Sequence, residues 1–226
     1  RLAGKVMLSY TPDKKTPNLE CIVKRVETSR YNPIIVVATS TDKSDNPIAK
    51  WATDHDVPLY RGDLENVVKR FDGALKTHAL DATYVWRVMA DCPLIDVGLA
   101  DWRLDVLSRN KADVITIMQP EPTYAGQASV WSREAWDYCA KMSSGSLLQH
   151  PGEYLYENFG QFKTLHEIGP ETVYYQPIRT ELDTPQDLEF FKQVWSRYPY
   201  IDMDKEMPVE FGLYNTKRVL TWLSRH

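Results

Sequence analysis

Strand-like and helix-like segments alternate from residue 17 to residue 118, and this rhythm limits the fold more than any other feature of the chain. Leu19, Ile22, Val23 and Val26 recur at the spacing of one helix face, and Pro17 suits a first helical turn. The run Ile34 to Thr39 is β-branched and too short for a helix, so it reads as a strand buried on both faces. Asp45, Asn46 and Pro47 open a second helix with Ile48, Trp51 and Ala52 turned inward, and Val57 to Tyr60 is a short strand. Leu64, Val67, Val68, Phe71 and Leu75 space a third helix. Tyr84 to Met89 is a strand, Leu99, Trp102 and Val106 mark a helix, and Ala112 to Ile117 is a strand again. Short connections between such units imply an α/β fold with a mainly parallel sheet and helices on both faces. Ligands then bind beyond the carboxyl ends of the strands, so the residues that follow each strand are where function is sought.

From 119 to 178 the rhythm weakens. Arg133 to Met142 reads as a helix, Gly145 to Gly152 as a loop, and Tyr154 to Phe162 is rich in aromatic residues. Val173 to Ile178 reads as a strand, and helices are expected over Pro185 to Arg197 and Asn215 to Ser224. One domain over 1–198 is expected, with 199–226 as a C-terminal extension packed on it. A hydrophobic share of 43% and a charged share of 26% suit a globular chain with a sizeable core. With 27 basic and 31 acidic residues, the net charge of −4 argues against a broad nucleic-acid surface. No apolar run approaches the roughly 20 residues of a membrane helix. The three cysteines, Cys21, Cys92 and Cys139, are scattered and form no CxxC pair, which argues against a zinc knuckle. Buried, reduced thiols of a cytoplasmic protein are the simplest expectation.

Two strands run into aspartate and then proline. Tyr84–Met89 leads to Asp91-Cys92-Pro93, and the strand near 173–182 leads to Asp183-Thr184-Pro185. A parallel sheet would set both carboxylates on one rim. Two hard oxygen ligands there suit Mg²⁺, which takes one or two carboxylates together with phosphate oxygens and water. A structural reading stands beside this one. Thr184, Pro185 and Asp187 fit an N-cap, N1 and N3, so Asp183 can simply favour a helix N-terminus, and Asp96 can cap the helix after it. Arg87 lies inside an apolar strand, where an unpaired charge is costly, so either an acid or a bound anion is expected beside it.

The motifs together resemble the sugar cytidylyltransferases, which make CMP-activated acidic sugars. Arg1-Leu2-Ala3-Gly4-Lys5 is similar to the R-L-P-G-K that closes their signature loop. Val37-Ala38-Thr39, Arg61-Gly62 through Phe71, Asp91 to Asp96, His150 with Tyr154, Tyr156 and Asn158, and Leu182 to Leu188 follow in the family's order. The branch most resembled is that of the spore-coat polysaccharide biosynthesis protein F-like members. The resemblance implies a Rossmann-like, GT-A-type nucleotidyltransferase domain that acts on CTP and an acidic sugar for surface polysaccharide synthesis. It implies Mg²⁺ held by Asp91 and Asp183, and triphosphate contacts from Arg1 and Lys5, the expected catalytic residues; Arg87, from its place in an apolar strand, is a further candidate for the nucleotide. His150, Tyr154 and Tyr156 are candidates for the acceptor, and a homodimer is expected. The family's first, central strand precedes R-L-x-G-K, so that strand is expected to be missing from this stretch of sequence, leaving a gap in the sheet. Ala3 and Ala90 replace the family's proline and glycine, and Gly126 to Val130 lacks the acidic residues of its G-x-D-V-E motif. A glycosyltransferase of related fold and a non-catalytic relative are the competing readings.

Overall fold

A computed structural model describes residues 2–11, 13, 15–117, 129–167 and 181–197. The first half follows the expected alternation. Helix α1 (Asn18–Glu27) precedes strand β1 (Val37–Ser40), and α2 (Asn46–Asp54) precedes β2 (Leu59–Gly62). Then come α3 (Val67–His78), β3 (Tyr84–Arg87), α4 (Val97–Asn110) and β4 (Val114–Ile117). The second half holds β5 (Ser129–Ser132), α5 (Arg133–Met142), α6 (Glu153–Glu157), β6 (Thr164–Glu167) and α7 (Pro185–Arg197). The expected strand near 173–178 and helix near 215–224 lie outside the described residues, as does the C-terminal extension. Among the described residues no helix is long and apolar enough to cross a membrane.

β1 and β2 pair in parallel, while the second sheet runs β3-β5-β4-β6. β5 lies antiparallel to both β3 and β4, and β4 is parallel to β6. The sheet is therefore mixed on this side. Alternate strand residues divide it into two faces, as a two-residue side-chain period requires. Val85, Val114 and Trp131 pack towards Trp136, Cys139 and Leu155 of α5 and α6. Ile115 and Val130, with Tyr84 and Trp86, pack towards Leu99, Ala100 and Leu107 of α4. Helices thus cover both faces, as expected. A third cluster sets Leu19 and Val23 of α1 and Trp51 of α2 on β1, and a fourth sets α7 through Phe191, Val194 and Trp195 on Tyr10, Cys21 and Leu94.

Among the described residues, β1 and β3 each pair on one side only, so the sheet is interrupted between them. Between them runs a largely apolar cleft of about 880 Å³, lined by residues of both strands and by α1 and α3. Its rim carries the polar residues described next.

Candidate active site

The turn after β3 places Asp91 by backbone contacts rather than by the strand itself, which ends at Arg87. The Asp91 carbonyl accepts a hydrogen bond from the Leu182 N–H at 2.8 Å. The Asp183 carbonyl accepts one from the Leu2 N–H at 2.6 Å. Three distant stretches are thereby clasped at one point, and the two aspartates come together. Lys5 joins them: its Nζ donates to Asp91 Oδ2 at 2.7 Å and also to Asp183 Oδ1. All three side chains are partly buried. Burial works to lower the Lys5 pKa, but the hydrogen bonds and charges of Asp183 and Asp91 outweigh it and hold the ammonium above its ordinary range.

The capping residues separate cleanly from this pair. Asp187 Oδ2 accepts from the N–H groups of Asp183 and Thr184 at 2.9 and 2.7 Å, and Thr184 Oγ1 accepts from the Asp187 N–H at 3.2 Å. This reciprocal capping box closes the N-terminus of α7. The Asp183 carboxylate turns to Lys5 while Asp187 does the capping. Asp96 is likewise a cap, with Oδ1 accepting from the Leu99 N–H at 2.9 Å; its burial raises its pKa, and the charges of Arg25 and Arg103 oppose that.

Lys5, Arg87 and Asp91 line the same cleft. Arg87 is partly buried on β3 and, among the described residues, its side chain forms no hydrogen bond or ion pair. Burial lowers its pKa, with Tyr156 and Asp91 as the groups opposing that shift most. Across the cleft stand Thr39, Asp45 and Arg70. Burial works to raise the Asp45 pKa, but hydrogen bonds from Ser40 and Thr39 hold its carboxyl below the usual range.

The other expected residues separate. Arg1 lies outside the described residues, as does 118–128, which includes most of the departed G-x-D-V-E segment. His150 is exposed beside Glu153, and Tyr154 donates to Gln161 Oε1 at 3.2 Å. Neither lines the cleft, and from this region only Pro151 does. Tyr156 accepts a hydrogen bond from Trp131 Nε1 at 3.2 Å and lies near enough to Arg87 to act on its charge. Arg61 ties down the loop after β1 through the carbonyls of Ser40 and Asp42, both at 2.9 Å. The cysteines are buried, and burial pushes the thiols of Cys92 and Cys21 up to about 12 and about 11. Such thiols are protonated and unreactive at neutral pH.

Asn18 is a positioning residue that local sequence patterns do not reveal. Its side chain is fully buried at the start of α1, where Nδ2 donates to the Ala90 carbonyl at 2.7 Å and Oδ1 accepts from Tyr10 at 2.9 Å. It therefore holds the backbone just before Asp91. Asn18→Ala is expected to lower stability by about 2–3 kcal/mol, because it strands a buried hydroxyl and a carbonyl. Urea denaturation measures this, and a loss below about 0.5 kcal/mol would show that the two groups find other partners.

The donor set suits a hard divalent cation. Two adjacent carboxylates already share one positive charge, and no third acid, histidine or cysteine joins them among the described residues. An ion held there would complete its shell with water and phosphate oxygens, which is the habit of Mg²⁺.

No protein-family model matches the chain. An uncharacterized protein of Methanocaldococcus jannaschii, MJ1063, is 27% identical over 195 residues, which span 85% of this chain and 78% of that protein. Among solved structures, a cytidylyltransferase from Leptospira borgpetersenii serovar Hardjo-bovis superposes with a TM-score of 0.77 at 22% identity, covering 98% of this chain and 90% of that one. A CMP:2-keto-3-deoxy-manno-octonic acid synthetase complexed with CTP gives a TM-score of 0.56 at 13% identity, over 87% and 93% of the two chains. The chain thus shares its α/β, Rossmann-like fold with these two structures.

Proposed function

We propose that the protein transfers CMP from CTP to a hydroxyl of an acidic sugar and releases pyrophosphate. The observation that carries this reading is the Asp91–Asp183 pair sharing one cation at the rim of the cleft, in a cytidylyltransferase fold. The acceptor oxygen attacks the α-phosphorus, the bond to the β-phosphate oxygen breaks, and the hydroxyl proton passes to water. Asp91 and Asp183 would hold Mg²⁺, which when bound neutralises charge on the phosphate oxygens. Arg87 offers a guanidinium to the triphosphate, and Lys5 an ammonium. Such catalysis is mostly positioning and electrostatics, so no side-chain nucleophile is needed. Synthesis of an activated sugar for surface polysaccharide, in the cytoplasm, is the setting this reading implies.

The test is a pyrophosphate-release screen of the four ribonucleoside triphosphates against a panel of acidic sugars, with Mg²⁺ present. CTP with one class of acidic sugar is expected to release pyrophosphate at least about 10-fold faster than the other nucleotides, a difference of about 1.4 kcal/mol. Release of a nucleoside diphosphate from a nucleotide-sugar, with none of pyrophosphate from CTP, would replace the reading with glycosyl transfer.

A further inference from the structure

We infer that Lys5 is a built-in placeholder for the divalent cation: its ammonium occupies the Asp91–Asp183 site until nucleotide phosphates draw it away, so metal and nucleotide bind interdependently. The inference rests on the proposed metal site and adds a gate to it. Two carboxylates brought side by side repel, and their attraction to a shared cation offsets that cost. Lys5 Nζ contacts one oxygen of each, so a cation held by the same two carboxylates would compete with it for them. An ion at the roughly 2.1 Å bond length of Mg²⁺ and an ammonium cannot share those oxygens, and their charges repel at that distance. One must leave for the other to enter.

The local structure lets Lys5 leave. It follows Gly4, which has a left-handed φ of 65°, and it begins a single 3₁₀ turn with no buried residues. Nothing lies within 4 Å of where a Gly4 side chain would be, so this turn is open. The backbone on either side is anchored, by Leu2 on the Asp183 carbonyl and by the Asn18 N–H on the Leu8 carbonyl at 2.8 Å. The lysine's four-carbon stem can therefore swing while the clasp holds. Drawn off the aspartates, its ammonium stays at the polar rim that Arg87 and Asp91 also line, where the two cations would meet the same polyphosphate. Because coupling is reciprocal, a nucleotide that draws Lys5 away raises metal affinity, and metal raises nucleotide affinity by the same factor.

Mn²⁺ binding, read by electron paramagnetic resonance of the free ion, tests this without any turnover. The proteins are the wild type, Lys5→Met and Lys5→Arg, each with and without a CTP analogue whose α,β-bridging oxygen is a methylene. Lys5→Met alone is expected to bind Mn²⁺ at least about 10-fold more tightly than the wild type, whereas Lys5→Arg stays weak. The analogue is expected to tighten Mn²⁺ binding to the wild type. Thermal melting provides a second readout, since Mn²⁺ should raise the melting temperature of Lys5→Met more than that of the wild type. Equal Mn²⁺ affinity in the wild type and Lys5→Met would overturn the placeholder role and leave the metal site standing. Failure of every protein to bind Mn²⁺, with or without the analogue, would overturn both.

Discussion

Asp183→Asn is expected to lower the rate of CMP transfer at least about 100-fold while leaving the fold intact. The substitution keeps the shape of the side chain and removes its charge. Even groups that only orient a metal ligand are worth about 10–100-fold, and single groups that stabilise transition-state charge about 10²–10³-fold, so a direct ligand stands at the upper end. The fold should survive because the capping of α7 belongs to Thr184 and Asp187, and the backbone carbonyl that holds Leu2 is untouched. Asp91→Asn should behave alike, for its carbonyl still meets Leu182. The two substitutions act on one ion, so the double variant should lose little more than either single one. Steady-state kinetics beside a thermal melt decides the matter. Loss of activity within about 3-fold, with an unchanged melt, would leave Asp183 as a helix-terminus charge and remove it from the chemistry.

Gly152→Ala is expected to cost about 3–5 kcal/mol of stability. Gly152 has a φ of 90°, where a side chain is strained, at a cost of about 1–3 kcal/mol. A Cβ there would also fall 2.1 Å from Cζ2 of Trp131. That indole cannot retreat. It is fully buried, stacks on Trp136 at 5.9 Å between centroids, and donates to Tyr156. Overpacking of this kind adds about 1–3 kcal/mol. Gly145→Ala is the matched control: its φ of 58° carries similar strain, but nothing lies within 4 Å. Urea denaturation of the pair should separate the clash from the backbone term. Equal losses would mean that Trp131 yields.

The half of the chain with regular alternation was the more legible one. Outside it, helix α5 and helix α7 still fall where the hydrophobic spacing puts them, because apolar residues at a 3.6-residue period and a capping box are local signals. Strand ends were less legible. The run Ile34 to Thr39 is six residues long, yet β1 pairs only over Val37–Ser40, since pairing depends on where β2 ends. β5 and β6 went unread. Ser129–Ser132 is four residues long and carries a tryptophan between two serines, and it becomes a strand because β3 and β4 offer it an edge on each side.

The site divides in the same way. The two aspartates could be found because proline follows each within two residues, which marks the end of a strand. That Lys5 would sit between them is a contact across 86 and 178 residues, outside any local pattern. The roles of Asn18 and of the opposite wall, Thr39, Asp45 and Arg70, were hidden for the same reason. Near His150, most of the aromatic rings pack on one another around Trp131 and Tyr138.

In the proposed reaction, the bond between the α- and β-phosphates of CTP breaks and the CMP moiety moves to the sugar. Parallel reactions with CTP labelled in the α-phosphate and in the γ-phosphate, with Mg²⁺ and an acidic sugar, follow it directly. The account predicts α-label in a sugar–CMP product and γ-label in pyrophosphate, in equal amounts, with both lost in Asp183→Asn. Label appearing as orthophosphate, or α-label remaining in CTP while a sugar is transferred from another nucleotide, would contradict it.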